Sequence, residues 1–147
     1  MKTIWDEQTR RALVSRLERI ETSSKAKWGN FNVTQMVEHI GLPMRAAMGE
    51  FAVEPKNGPF SIPLLRYLII YWLPWPKGAP TAPEFIPPID GDLEYNRCEF
   101  KRTLDLFVRY TQENRAKPHP AFGDLSREHW GVLTHRHIDH HLTQFGV

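Results

Sequence analysis

Apolar residues recur at helical spacing in four stretches of this chain. Leu13, Leu17 and Ile20 mark the inner face of a first helix, predicted to run from a Thr3 cap to about Glu21, with Asp6 and Glu7 in its first turn. Asn32-Val-Thr-Gln35 has capping-box spacing and opens a second helix carrying Met36, Val37, His39, Ile40, Leu42 and Ala46. Pro43 should bend that helix or begin a new turn. Phe100, Leu104, Phe107 and Val108 fall at i, i+4, i+7 and i+8 on a third helix, capped at Asp90-Gly-Asp92 and ending near Asn114. The fourth stretch, Ser126 to Phe145, has no proline and a good cap in Ser126. Ile138, Leu142 and Phe145 form its apolar stripe, with Trp130, Leu133 and Gln144 on or near an adjoining one. No alternating strand pattern competes. The pattern predicts an all-α fold, a four-helix bundle with a long proline-rich crossover between helices 2 and 3.

The crossover, Phe51 to Asp92, holds most of the chain's 12 prolines, which excludes a long regular element. A short apolar helix is expected from about Ile62 to Leu73, and extended chain from Ala79 to Gly91. The apolar run is too short to span a bilayer, which takes ~20 residues, and it contains Pro63 and Arg66. It is expected to be a core or interface segment.

At 147 residues the chain is long enough for one domain, residues 1–147, with a sizeable core. Nineteen basic against 17 acidic residues leave +2, so no strong field points to nucleic acid or an anionic membrane. The single cysteine excludes an intrachain disulfide, and Cys98 is expected as a small buried residue. The N-terminus lacks the apolar core of a signal peptide, so the cytoplasm is the expected compartment.

The chemistry lies in the histidines. Five of the 7 are in the last helix: His129, His135, His137, His140 and His141. His137 and His141 are one turn apart on one face, preset to take adjacent positions on one ion. His140 offers a rival pair at the edge of that face. Catalytic metal sites commonly use three protein ligands and leave a position open. His39, the only histidine on another predicted helix, is the best third ligand; His119, in a Pro-His-Pro turn, is less well placed. Gln35, Pro43 and Trp130 are the expected pocket residues. Glu38 and Asp139 point off the ligand faces and should be solvated. A site of this kind would take a divalent transition metal such as zinc, nickel or iron, and its affinity should fall as pH drops through ~6.5.

Three stretches resemble a known family. Trp28-Gly-Asn-Phe-Asn-Val-Thr-Gln-Met-Val-Glu-His39 resembles the second-helix signature of the DinB-like (YfiT-like) superfamily. His119-Pro-Ala-Phe-Gly-Asp-Leu-Ser-Arg-Glu-His-Trp-Gly and His137-Ile-Asp-His-His141-Leu-Thr-Gln-Phe-Gly resemble the C-terminal signature of one branch of unknown function. The resemblance covers both ends of the chain but not the proline-rich middle. It implies a four-helix bundle holding one divalent metal on His39, His137 and His141. It also implies a thiol-cofactor-dependent transferase as one activity found in the superfamily, and a homodimer.

Two functions follow as expectations. One is a metal-dependent enzyme acting on a small molecule, by transfer to or from a low-molecular-weight thiol or by hydrolysis. The other is a non-catalytic dimeric module with a structural or vestigial metal site, its apolar segment serving dimerisation. Nucleic-acid binding is disfavoured by the near-neutral charge.

Overall fold

The long helices start where a side chain takes up the first free backbone N–H groups. The computed structural model describes residues 1–56 and 58–147 and is all-α, with no strand among the described residues. The helices are α1 (Glu7–Glu18), α2 (Val33–His39), α3 (Leu42–Ala47), α4 (Pro63–Tyr71), α5 (Leu93–Glu113) and α6 (Arg127–Gln144). As expected, Asn32 and Gln35 form a capping box, Asp92 accepts from Tyr95 N at 2.7 Å, and Ser126 accepts from His129 N at 3.2 Å.

The first helix begins later than its pattern suggests. Asp6, not Thr3, is the cap, accepting from Thr9 N at 2.7 Å. The residues before it are drawn to α6 instead. Ile4 N donates to Gly131 O at 3.2 Å, and the Trp5 indole donates to Arg127 O at 2.9 Å. Gly131 makes this approach possible: a Cβ there would lie 2.1 Å from Trp5 Nε1 and 2.3 Å from Thr3 Oγ1. Gly131→Ala is therefore expected to destabilise the protein by about 1–3 kcal/mol in a denaturant titration. An unobstructed helical site would instead gain ~1 kcal/mol from the same change.

Pro43 begins a new helix rather than bending the old one, so the second stretch divides into α2 and α3. Met36 and Val37 of α2 and Ile40 just after it meet Phe100, Leu104 and Phe107 of α5, Leu13 and Leu17 of α1, and Ile138 and Leu142 of α6 in one core. Asn96 on α5 donates to Thr34 O at 3.1 Å, fixing α5 against α2. Cys98 is exposed, contrary to expectation, because it lies on the side of α5 away from the Phe100 stripe.

The crossover is tied down at several points; Asn57, within it, lies outside the described residues. Gln35 Nε2 donates to Pro87 O and Asn32 Nδ2 to Ile89 O, both at 3.0 Å. The apolar run forms α4, with Pro63 at its start, where a missing N–H costs nothing. Its C-terminal carbonyls are met from α6. Arg136 donates to Ile69 O at 2.7 Å, Ile70 O at 2.8 Å and Leu73 O at 2.6 Å. No helix among the described residues is long and apolar enough to cross a membrane.

Candidate metal centre

The structure brings His39, His137 and His141 together. The i, i+4 spacing on α6 puts the His137 and His141 rings 4.8 Å apart, and the His39 ring from α2 lies 4.9 Å from the first and 4.7 Å from the second. One ring nitrogen from each lies within 4.8 Å of the others. His39 is buried, against Phe31 at 5.0 Å between ring centres. The indole of Trp75, from the crossover, lies 6.2 Å from the His137 ring.

Two of the three rings are oriented by a partner on the far nitrogen. His39 Nδ1 donates to Phe85 O at 2.7 Å. A carbonyl only accepts, so Nδ1 carries the hydrogen and Nε2 is a bare lone pair in the neutral ring. His141 Nδ1 donates to Gln144 Oε1 at 2.8 Å. Gln144 cannot flip, because its Nε2 donates to Trp28 O at 2.5 Å. His141 Nε2 is thus also a lone pair. Carbonyl and amide oxygens behind imidazoles are the usual outer partners of histidine metal ligands.

All three rings favour the neutral, ligating form. Burial lowers the pKa of His39 below the ordinary imidazole value. Burial pushes His141 down to about 3, with help from His39. His137 is held well below its ordinary value by burial, then by the charges its neighbours His141 and His39 would carry. For a metal held here, the loss of affinity that free imidazoles would show through pH ~6.5 would move to lower pH. Protons compete for these nitrogens only once the low folded values are reached or the fold opens.

The donor set fits a metal. His39 Nε2 and His137 Nε2 are 3.1 Å apart. Nitrogens bound at 2.0–2.1 Å around a tetrahedral ion stand roughly 3.3 Å apart. Either a hydrogen from His137 or a cation must sit between lone pairs this close. Among the described residues no fourth histidine, cysteine or carboxylate joins the group. Gln144→Met is expected to weaken metal binding about 10–100-fold while leaving all three ligands in place, as read by competition with a chromophoric chelator.

The other histidines serve elsewhere. His140 sets its ring edge against Trp28 at 5.6 Å. His135 is buried on the far side of α6, and His129 bonds to Ser126 in the first turn. His119 is turned inward, its Nδ1 accepting from Ala121 N at 3.1 Å and Phe122 N at 3.2 Å. Burial pushes it down to about 4. Asp139 pairs with Arg16.

The three expected pocket residues do not share one hollow. Trp130 is 2% exposed, packs on Phe107 and His119, and lines a cavity of about 320 Å3 with Thr111, Asn114 and Leu125. Gln35 uses its amide on Asn32 N and Pro87 O. Pro43 is half-buried in α3. A second hollow of about 280 Å3 lies beside the cluster, lined by Trp28, Trp75, Lys77, Arg136 and His140. Its aromatic walls come from loops, where periodicity carries no signal. Gln144, at i+3 from His141, was the one outer partner that spacing could have revealed.

Fold and site together define an all-α protein with a histidine cluster that could hold a metal ion. Residues 6–146 match the family described as Protein of unknown function (DUF1569), and the chain belongs to that family. No curated protein and no solved structure matches the chain.

Proposed function

We propose that His39, His137 and His141 hold one divalent transition metal through their Nε2 atoms, and that the protein is a metal-dependent enzyme. The observation that carries this reading is the convergence of three neutral imidazoles from two helices, two of them oriented from behind by Phe85 O and Gln144 Oε1. We further take the chain as one domain built as a DinB-like four-helix bundle, working in the cytoplasm. Here α2 with α3 counts as one of the four helices, and the likeness rests on the Trp28–His39 and His137–His141 motifs.

An ion with three protein ligands keeps a position for water or a thiol, whose pKa it lowers toward neutrality. The chain's own residues supply orientation and shelter. Phe85 O and Gln144 aim the rings, and Phe31 and Trp75 keep water from them. The hollow between Trp28, Trp75 and His140 offers room for a small molecule. Transfer to or from a low-molecular-weight thiol, or hydrolysis, is the chemistry this arrangement serves.

The burial of His39 favours a second reading, a structural metal in a non-catalytic module. Cobalt(II)-loaded protein separates the two. A visible spectrum that shifts on adding a thiol reports an exchangeable position and supports the enzyme. A spectrum indifferent to thiols and to small anions supports the structural role.

A further inference from the structure

One side of α4 faces outward although eight of its nine residues are uncharged and most are apolar. Of its nine residues only Ile70 is buried. On the other side Leu64, Tyr67 and the half-buried Leu68 lie at i, i+3 and i+4, and Tyr71 at i+7 ends the stripe where it leans on the core. Leu64 is 70% exposed and Tyr67 45%. Trp72, 67% exposed, extends the stripe beyond the helix, and Phe60, Ile62 and Leu73 add surface at its ends. Tyr67 and Tyr71 stack at 4.7 Å, which stiffens its middle.

The stripe is also uncharged. Arg66 is the one charged residue of α4, and its guanidinium turns inward to donate to Phe122 O and Asp124 O, both at 2.9 Å. Taking about 200 Å2 for each aromatic side chain and less for each leucine or isoleucine, the exposed parts of these residues amount to roughly 600 Å2 of surface. The largest patch on a monomer is usually about 300–600 Å2. A stable interface takes about 800 Å2 per partner. The patch thus stands at the top of the range a monomer leaves bare and supplies most of one side of a dimer.

We propose that this face is the contact between two copies of the chain, paired across α4 about a two-fold axis. A two-fold axis sets a patch against itself, so a charged patch repels its own copy and a neutral apolar one does not. A membrane surface fits this face less well. Helices that lie on membranes combine an apolar side with a polar side rich in Lys and Arg. The one cation of α4 is spent on carbonyls. The patch is firmly mounted, since Arg136 and the Trp75 indole both bind Ile69 O. Pairing across α4 would therefore brace α6 at the residue before His137. The proposal stands on α4 alone and does not need the metal.

Sedimentation of the full chain tests it. Wild-type protein is expected at twice its 17.2 kDa mass at micromolar concentration, dissociating on dilution. Leu64→Asp and Tyr67→Asp should each return the mass to that of one chain with an unchanged helical circular-dichroism signal, because both sites are exposed. The variants should keep the metal content of the wild type, which separates this outcome from failure of the metal site. A wild-type protein monomeric up to millimolar concentration would overturn the proposal. So would a dimer that survives both substitutions, or a monomer that floats with phosphatidylcholine vesicles through this face.

Discussion

Alanine in place of His137 is expected to abolish stoichiometric metal binding. Wild-type, tag-free protein should carry about one metal per chain, and the variant should carry almost none. His137 touches both partners, with ring centres 4.9 Å from His39 and 4.8 Å from His141. Without it, two imidazoles from different helices remain, and the remaining pair lacks the preset i, i+4 geometry. The loss should exceed 100-fold, since removing only an outer partner typically costs about 10–100-fold. His140→Ala is the control. That ring lies beside His141 but faces Trp28 and Trp75, and its removal should leave the metal in place. Elemental mass spectrometry on both variants decides the matter. Metal retained in His137→Ala and lost in His140→Ala would sink the assignment of the ligands.

The metal-free protein should lose stability steeply as pH falls below 6.5. The unfolded chain takes up protons on its histidines near that value, whereas the folded chain resists until about 3 at His141 and about 4 at His119. The unfolded state binds more protons across this window, so stability is full above it and drains away as pH falls through it. At about 1.4 kcal/mol per pH unit for each group, these two histidines alone remove roughly 4 kcal/mol by about pH 5. His39 and His137 shift in the same direction and add to the loss. Against a total of about 5–15 kcal/mol for a folded domain, acid unfolding near pH 5 is the expected result. Urea midpoints measured from pH 7.5 to 5 check it, and added zinc or nickel should raise the midpoint at each pH. A midpoint that stays flat without metal would mean that the cluster accepts protons within the fold.

The parts of this protein that could be read in advance are those set by spacing. His137 and His141 share a face because a helix repeats every 3.6 residues, and the caps at Asn32, Asp92 and Ser126 follow from short-range chemistry. His39 stood out because no other predicted helix outside the last carries a histidine. The structure agrees on all of these placements. What spacing missed depends on contacts between distant segments. Thr3 is a sound cap in isolation, but α6 draws its neighbours Ile4 and Trp5 away. Cys98 was expected to be buried from residue type alone, and the turn of α5 puts it outside. His119, in its proline-flanked turn, stays out of the cluster as expected, but spacing did not show that two backbone N–H groups hold its ring inward. Trp75 reaches the cluster from a loop with no periodic signal at all.

The hydrogen bond behind His39 comes from the main chain of Phe85, not from a side chain. Every amino acid brings the same carbonyl to that position, so replacing Phe85 cannot delete the acceptor. It can only move it. What holds that oxygen in place is the course of the chain on either side, with the turn at Pro83 before it and the Gln35 grip on Pro87 after it. A side-chain scan of the cluster would thus pass over one of its supports, and an insertion or deletion between Pro83 and Pro87 would expose it. The proline-rich segment, the least regular part of the molecule, sets the aim of a ring on the second helix.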